Sequence, residues 1–225
     1  MINKFTKKNP KWFYNAAEAP QLKILEENYL IILEELNQLI INSKKGFWQV
    51  NYPKYVTSKL HNNWKVFSFQ FFGIKYTFNC ETCPNTASIL NKIPGLISAD
   101  FSYLPPHTHI KPHTGFTKMI LRVHLGLIIP KNCSIRVGEQ TKSWEQGKLL
   151  VFDDSFEHEV WNNSDEDRYI LMIDIPNPLW GYTANEISRY KVENLTDEYM
   201  LSLFPKEKWI EFLEKGELDI FAAKS

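Results

Sequence analysis

Chemistry is concentrated in three residues of this sequence: His113 in PHTGF, His158 in SFEHEVW, and Arg168 in DRYILM. Neutral imidazoles are good ligands for ferrous iron, and a pair on separate segments leaves most of a coordination sphere open. A histidine followed two residues later by aspartate would add a carboxylate, but that position holds Gly115. Arg168 offers a planar guanidinium, which grips a carboxylate through two parallel hydrogen bonds. The plainer alternative is a strand protein whose histidines are hydrogen-bonded structural residues. Spacing and strand context favour a site.

Strands must position these residues, and the pattern predicts them. LISADFSYL, KMILRVHLGLII, CSIRVG, KLLVFD, EHEVW and RYILMIDI follow one another between about residues 97 and 176. Closely spaced strands without intervening helices predict a sandwich or an antiparallel barrel. In KMILRVHLGLII, Met119, Leu121, Val123, Leu125 and Leu127 share one face, and Ile120, Arg122, His124 and Gly126 share the other. Arg168, Ile170, Met172 and Asp174 share a face in the same way. A buried arginine is costly without an anion. Two on separate strands therefore suggest a pocket for a dianion or carboxylate.

Around the strands the pattern is helical. Leu22, Leu25, Tyr29, Ile32, Leu33, Leu36 and Ile40 recur at three- and four-residue steps, with Glu26, Glu27, Glu34 and Glu35 on the wet side. Residues 64–78 suggest further strands, and NTASILNKIPG a short helix capped by Asn85 or Thr86. Thr196 is placed to cap DEYMLSLF, and KEKWIEFLEKG to end at Gly216. The expectation is one α+β domain over residues 1–225: a helical brace at about 20–42, a barrel core at about 64–180, and C-terminal helices at about 184–216.

Composition excludes several functions. With 26 basic and 26 acidic residues the formal charge is zero, so bulk attraction to nucleic acid or an anionic membrane is not expected. MINKFTKKNPKWF lacks the apolar centre of a secretory signal, and no apolar run approaches the roughly 18 residues of a membrane span. Three cysteines make no disulfide framework, and a reducing cytoplasm is the expected location. Cys80 and Cys83 form a CxxC without a second pair, read as two ordinary thiols in preference to a zinc or redox site.

PHTGFTKMILRVHLGLIIP, WEQGKLLVFDDSFEHEVW and DRYILMIDIPNP together resemble the aspartyl/asparaginyl β-hydroxylase family. The resemblance covers about residues 64 to 180 and is dense between Ser102 and Arg168. It implies a double-stranded β-helix, a jelly-roll or cupin-like barrel. It also implies a 2-oxoglutarate and Fe(II)-dependent dioxygenase, which forms succinate and CO2 as it hydroxylates its substrate. Carried over by position, His113 and His158 match the iron ligands, and Arg168 the partner of the far carboxylate of 2-oxoglutarate. Ser102 matches a hydroxyl on the same carboxylate, and Arg122 and His124 lie toward the co-substrate's other end. Gly115 fits too, because the animal peptidyl hydroxylases of the family have glycine where the carboxylate ligand usually stands.

Ile120 and Trp64 are expected to border the substrate. His107 and His109, in PPHTHI, read as loop residues at the pocket mouth that could touch it. His61 receives no role. Asp153, Asp154 and Glu157 either orient His158 or form a solvated acidic turn. In the animal enzymes the position of Ile120 is an arginine that reads the substrate's carboxylate, so acidic aspartyl residues are an unfavourable substrate here. The expectation is an amino acid or peptide side chain, hydroxylated with O2. Two other classes stay open: a halogenase with chloride at the open Gly115 position, and a non-catalytic cupin-like binding protein.

Overall fold

The computed structural model describes residues 10–42, 48–58 and 64–219; His61 lies outside them. Two sheets face each other. The larger runs β1 (Phe13–Tyr14), β11 (Leu149–Phe152), β8 (Ile120–Ile128), β13 (Arg168–Pro176), β6 (Ser98–Leu104), β4 (Lys65–Phe71), β5 (Ile74–Tyr76) and β14 (Glu217–Leu218), with β2 (Gln49–Val50) beside β4. The smaller runs β10 (Gln140–Lys142), β9 (Cys133–Val137), β12 (His158–Asn162), β7 (Thr108–His113) and β3 (Val56–Ser58). From β6 to β13 the chain passes back and forth between the sheets, which is the jelly-roll path. No strand pair among the described residues joins the two sheets, so the barrel stays an open sandwich.

Register sets what faces the interior. Across the larger sheet Asp174 lies opposite Ser98 and Arg122, Met172 opposite Asp100 and His124, and Ile170 opposite Ser102 and Gly126. These rungs bring the inward polar residues of three strands side by side. The alternate residues Ala99, Phe101, Leu121, Val123, Leu125, Leu171 and Ile173 face outward into a core shared with helices. β13 is thus buried on both faces, which explains its nearly continuous apolar run.

The outward core is covered by α1 (Lys23–Glu27), α2 (Tyr29–Asn42), α3 (Thr77–Thr82) and α4 (Pro84–Leu90). The helix expected over about 20–42 is present but broken. Residues Pro20–Leu22 form a 3-10 turn, and Asn28 ends α1 by turning its side-chain amide back to the Ile24 carbonyl, 2.8 Å away. Neither Asn85 nor Thr86 caps α4. The helix opens with Pro84, and Glu35 reaches across from α2 to accept from the backbone N–H groups of Asn85 (2.8 Å) and Thr86 (2.6 Å). At the other end, α5 (Ala184–Glu193), α6 (Glu198–Leu203) and α7 (Lys206–Lys215) enclose a third core around Trp209. Asp197, not Thr196, caps α6, accepting from the Met200 N–H at 3.1 Å. Gly216 ends α7 in the left-handed conformation, φ 75°, as its position after KEKWIEFLEK implies. No described helix is long and apolar enough to cross a membrane.

Glu35 therefore couples two helices through one carboxylate. Glu35→Ala should cost about 1 kcal/mol, the usual worth of an N-cap. Urea denaturation would show it as a lower midpoint with an unchanged slope.

Candidate active site

His113 and His158 lie opposite each other at one end of β7 and β12, with ring centroids 4.2 Å apart. Thr108 and Ile110 of β7 are buried, and strict alternation would send His113 outward. A bulge prevents this. Between the paired positions β12 advances from His158 to Val160 while β7 spans Ile110 to His113, so the extra residue turns His113 inward. Each ring is then fixed from behind. His113 Nδ1 donates to the Lys111 carbonyl at 2.8 Å and His158 Nδ1 to the Phe156 carbonyl at 2.9 Å. Both Nε2 atoms keep a lone pair for a metal. Burial pushes the His113 pKa down, and burial together with the neighbouring His113 brings His158 to about 3. Both rings are neutral at physiological pH. Among the described residues, no group of three or more His, Cys, Asp or Glu side chains is placed to hold a metal ion.

The space beside Gly115 is filled. A Cβ at this glycine would lie 2.2 Å from both Cγ and Oδ2 of Asp154. Asp154 is 2% exposed; one oxygen meets Arg122 Nη1 at 3.2 Å, and Oδ1 has no hydrogen-bond partner. Arg122 is fully engaged: Nε and Nη2 hold Asp174 at 2.9 and 3.1 Å, and Nη1 takes Asp154. These carboxylates overcome the cost of burial and raise its pKa further.

Arg168 is the opposite case. It is 2% exposed, its Nε and Nη1 have no hydrogen-bond partner, and burial lowers its pKa to about 10. Its guanidinium lies over Trp144, 5.2 Å from the ring centroid. The Trp144 indole N–H donates to His124 Nδ1 at 3.1 Å, so His124 carries its proton on Nε2, which is buried and unpartnered. Burial, then Arg168, pushes the His124 pKa far down and keeps the ring neutral. Ser102 accepts from the Trp64 indole N–H at 2.9 Å, leaving its own proton free to be donated. Arg168, Ser102, His124, His113 and His158 line one narrow cleft of about 20 Å³. Unpartnered donors converge on it from three strands, which is the donor set a carboxylate requires.

A larger cavity of about 320 Å³ adjoins the cleft, sharing Trp64, His113, Arg122 and Met172 as walls. Residues 26–178 match the family described as Aspartyl/Asparaginyl beta-hydroxylase. The chain belongs to that family. It is 38% identical over 170 residues to the ornithine lipid ester-linked acyl 2-hydroxylase of Rhizobium tropici, covering 74% of this chain and 60% of that protein. It is 37% identical over 163 residues to the human aspartyl/asparaginyl beta-hydroxylase, covering 70% of this chain and 21% of the human protein. The match thus spans only part of each relative's length. Among solved structures, a 2OG-Fe(II) oxygenase family oxidoreductase of Burkholderia pseudomallei is similar, with TM-score 0.47 and 13% identity over 71% of this chain and 90% of that one.

In this family member the structure brings together His113, His158, Arg168, Ser102, His124 and Arg122. Ile120 and Trp64 line the larger cavity, as expected of substrate-bordering residues. His107 and His109, expected at the pocket mouth, line neither space. His107 pairs with Asp165 at 2.8 Å, while His109 pairs with Glu159 at 2.9 Å and stacks on Trp161. Of the acidic turn, Asp153 and Asp154 are buried and Glu157 pairs with Arg136, so the turn is not simply solvated. Trp144 and the carboxylates of Asp100 and Asp174 were not foreseen as site residues. Asp174 shares a face with Arg168 in sequence, which was the available signal; Trp144 stands outside any strand and gave none.

Gly115→Ala should destabilise the fold by roughly 1–3 kcal/mol, because Asp154 cannot yield without leaving Arg122. In a double-mutant cycle with Asp154→Gly, the combined variant should lose less than the two singles added, by about 1 kcal/mol or more. Strict additivity in thermal or urea unfolding would show that the two side chains do not compete for the space.

Proposed function

We propose that the chain is a 2-oxoglutarate and Fe(II)-dependent dioxygenase that hydroxylates an amino acid or peptide side chain. The observation that carries this reading is the buried Arg168 guanidinium with two unpartnered nitrogens, in the same cleft as two imidazoles with free Nε2 atoms. An unpaired buried cation costs several kcal/mol, and a dicarboxylate ligand removes that cost. His113 and His158 would hold the metal. Arg168 and Ser102 would take the far carboxylate, and the Nε2–H of His124 offers a further donor in the cleft. Since the cleft itself holds only about 20 Å³, the remainder of the co-substrate would extend past the walls shared with the larger cavity. When bound, Fe(II) and 2-oxoglutarate would activate O2, the oxidant: 2-oxoglutarate would give two electrons as it loses CO2 and takes one oxygen atom into succinate, and the substrate C–H bond would give two more as the other atom enters it.

The residues around this centre position rather than react. Arg122, with every nitrogen committed to Asp174 and Asp154, is an alignment post for Asp154 more than a free anion receptor. The Oδ1 of Asp154 is left as an uncommitted acceptor on a residue that lines the larger cavity. The same carboxylate argues against halogenation, since it occupies the volume beside Gly115 that chloride would need. Converging unpartnered donors argue against a purely structural barrel.

Replacing both His113 and His158 by alanine should remove iron from the purified protein and abolish succinate formation. Stoichiometric iron in that variant would move the metal elsewhere. Arg168→Lys keeps the charge but loses the fork. A hydrogen-bonded charged contact is worth about 1.5–3 kcal/mol, so the 2-oxoglutarate KM should rise on the order of 10- to 150-fold. Arg168→Met should lose the response to 2-oxoglutarate yet melt higher than the unliganded parent, because it removes an unpaired buried cation. An unchanged KM in Arg168→Lys would displace the co-substrate from this cleft.

A further inference from the structure

The charges lining the larger cavity do not balance. Asp100, Asp154, Asp174 and Asp197 face it, against Arg122 and Lys191. Arg122 is shared between Asp174 and Asp154. Lys191 is 7% exposed, with its ammonium 4.1 Å from the Phe116 ring centroid, and Asp197 is the carboxylate that acts on it. Asp100 is left over. It forms no ion pair among the described residues, and Arg122, the cation that offsets its charge, is already committed twice.

Asp100 is held by the fold, not by chance. It lies on the inward face of β6 between Ser98 and Ser102, opposite Ser68 on β4 and Met172 on β13. His124 is opposite Met172 on the next strand, so Asp100 is two strands from it, roughly 10 Å by ordinary strand spacing. Burial raises the Asp100 carboxyl to about 7, with Asp174 adding to the effect and Ser68 and Arg122 opposing it, so near neutral pH it is partly protonated and an adjacent ammonium would favour its charged form. The Tyr76 phenol lies near enough to feel that charge and is kept protonated by burial. A second signal is independent of Asp100: Asp154 is 2% exposed, faces the same cavity, and keeps Oδ1 without a partner. Phe72, Ile120 and Met200 supply apolar wall. Such a space repels an acidic side chain and suits a cation carried on an apolar stem.

We infer that the substrate bears an ammonium on an aliphatic stem and that Asp100 is the residue that selects it. The inference rests on reading the larger cavity as the substrate site of the proposed hydroxylase, and it adds the substrate's charge. It is tested by binding, apart from turnover. The full chain is titrated by calorimetry with N-acetyl-lysine methylamide, its norleucine counterpart lacking the ammonium, and its glutamate counterpart. The lysine probe should bind at least tenfold more tightly than the norleucine probe, and the glutamate probe most weakly. Asp100→Asn should bring the lysine-to-norleucine ratio close to one, and Asp100→Glu should keep the preference. Should Asp100→Asn fail to fold, the ranking in the parent and in Asp100→Glu decides. Preference for glutamate, equal affinities, no measurable binding at millimolar concentration, or a ratio unmoved in folded Asp100→Asn each overturns the inference. Succinate formation without any probe is measured in parallel, so failure of the hydroxylase reading is seen separately.

Discussion

A permanent cation buried with two unpartnered nitrogens is something an ordinary core does not keep. Arg168 has that environment because β13 is covered on both faces, by helices outside and the second sheet inside. Trp144 lies against the guanidinium and also holds His124, so one indole sets both the electrostatic and the hydrogen-bonding side of the cleft. The stability that such a cation forfeits must come from elsewhere. The three apolar clusters, two of them outside the sandwich, are where this fold finds it.

The two arginines foreseen from strand alternation have come to opposite ends. Arg122 is neutralised by Asp174 across one rung and by Asp154 from the turn before β12. Arg168 lies three rungs along the same face, paired with Leu104 on β6 rather than an acid. The same guanidinium chemistry is thus a structural knot at one end and a group with two unpartnered nitrogens at the other. Trp64 and Met172 stand between them, bordering both spaces.

What could be read from sequence was whatever obeys a local period. Alternation in KMILRVHLGLII and RYILMIDI assigns the inward residues correctly, and the three-to-four spacing finds the α1–α2 brace. Features that depend on a partner far along the chain were hidden. Glu35 capping α4, Trp144 reaching His124, and Asp154 filling the place of a side chain at Gly115 all require the fold first. His109 is instructive in the other direction. Read as a loop residue at the pocket mouth, it lies on a strand between buried Thr108 and Ile110 and points outward, and only a bulge, invisible in composition, separates it in role from His113. The break at Asn28 and the choice of Asp197 over Thr196 turn on single side-chain hydrogen bonds between near-equivalent residues.

The filled space at Gly115 also bears on how such a site can change over time. A histidine–x–aspartate arrangement and the present one differ by a single residue in sequence, yet the route between them is not a single step. Any side chain acquired at position 115 meets a carboxylate that is itself tied to Arg122, and through Arg122 to Asp174. A side chain there would require position 154 to shrink first, leaving Arg122 to Asp174 alone. Position 115 is therefore kept without a side chain by packing against Asp154, and through it by the charge network of Arg122 and Asp174.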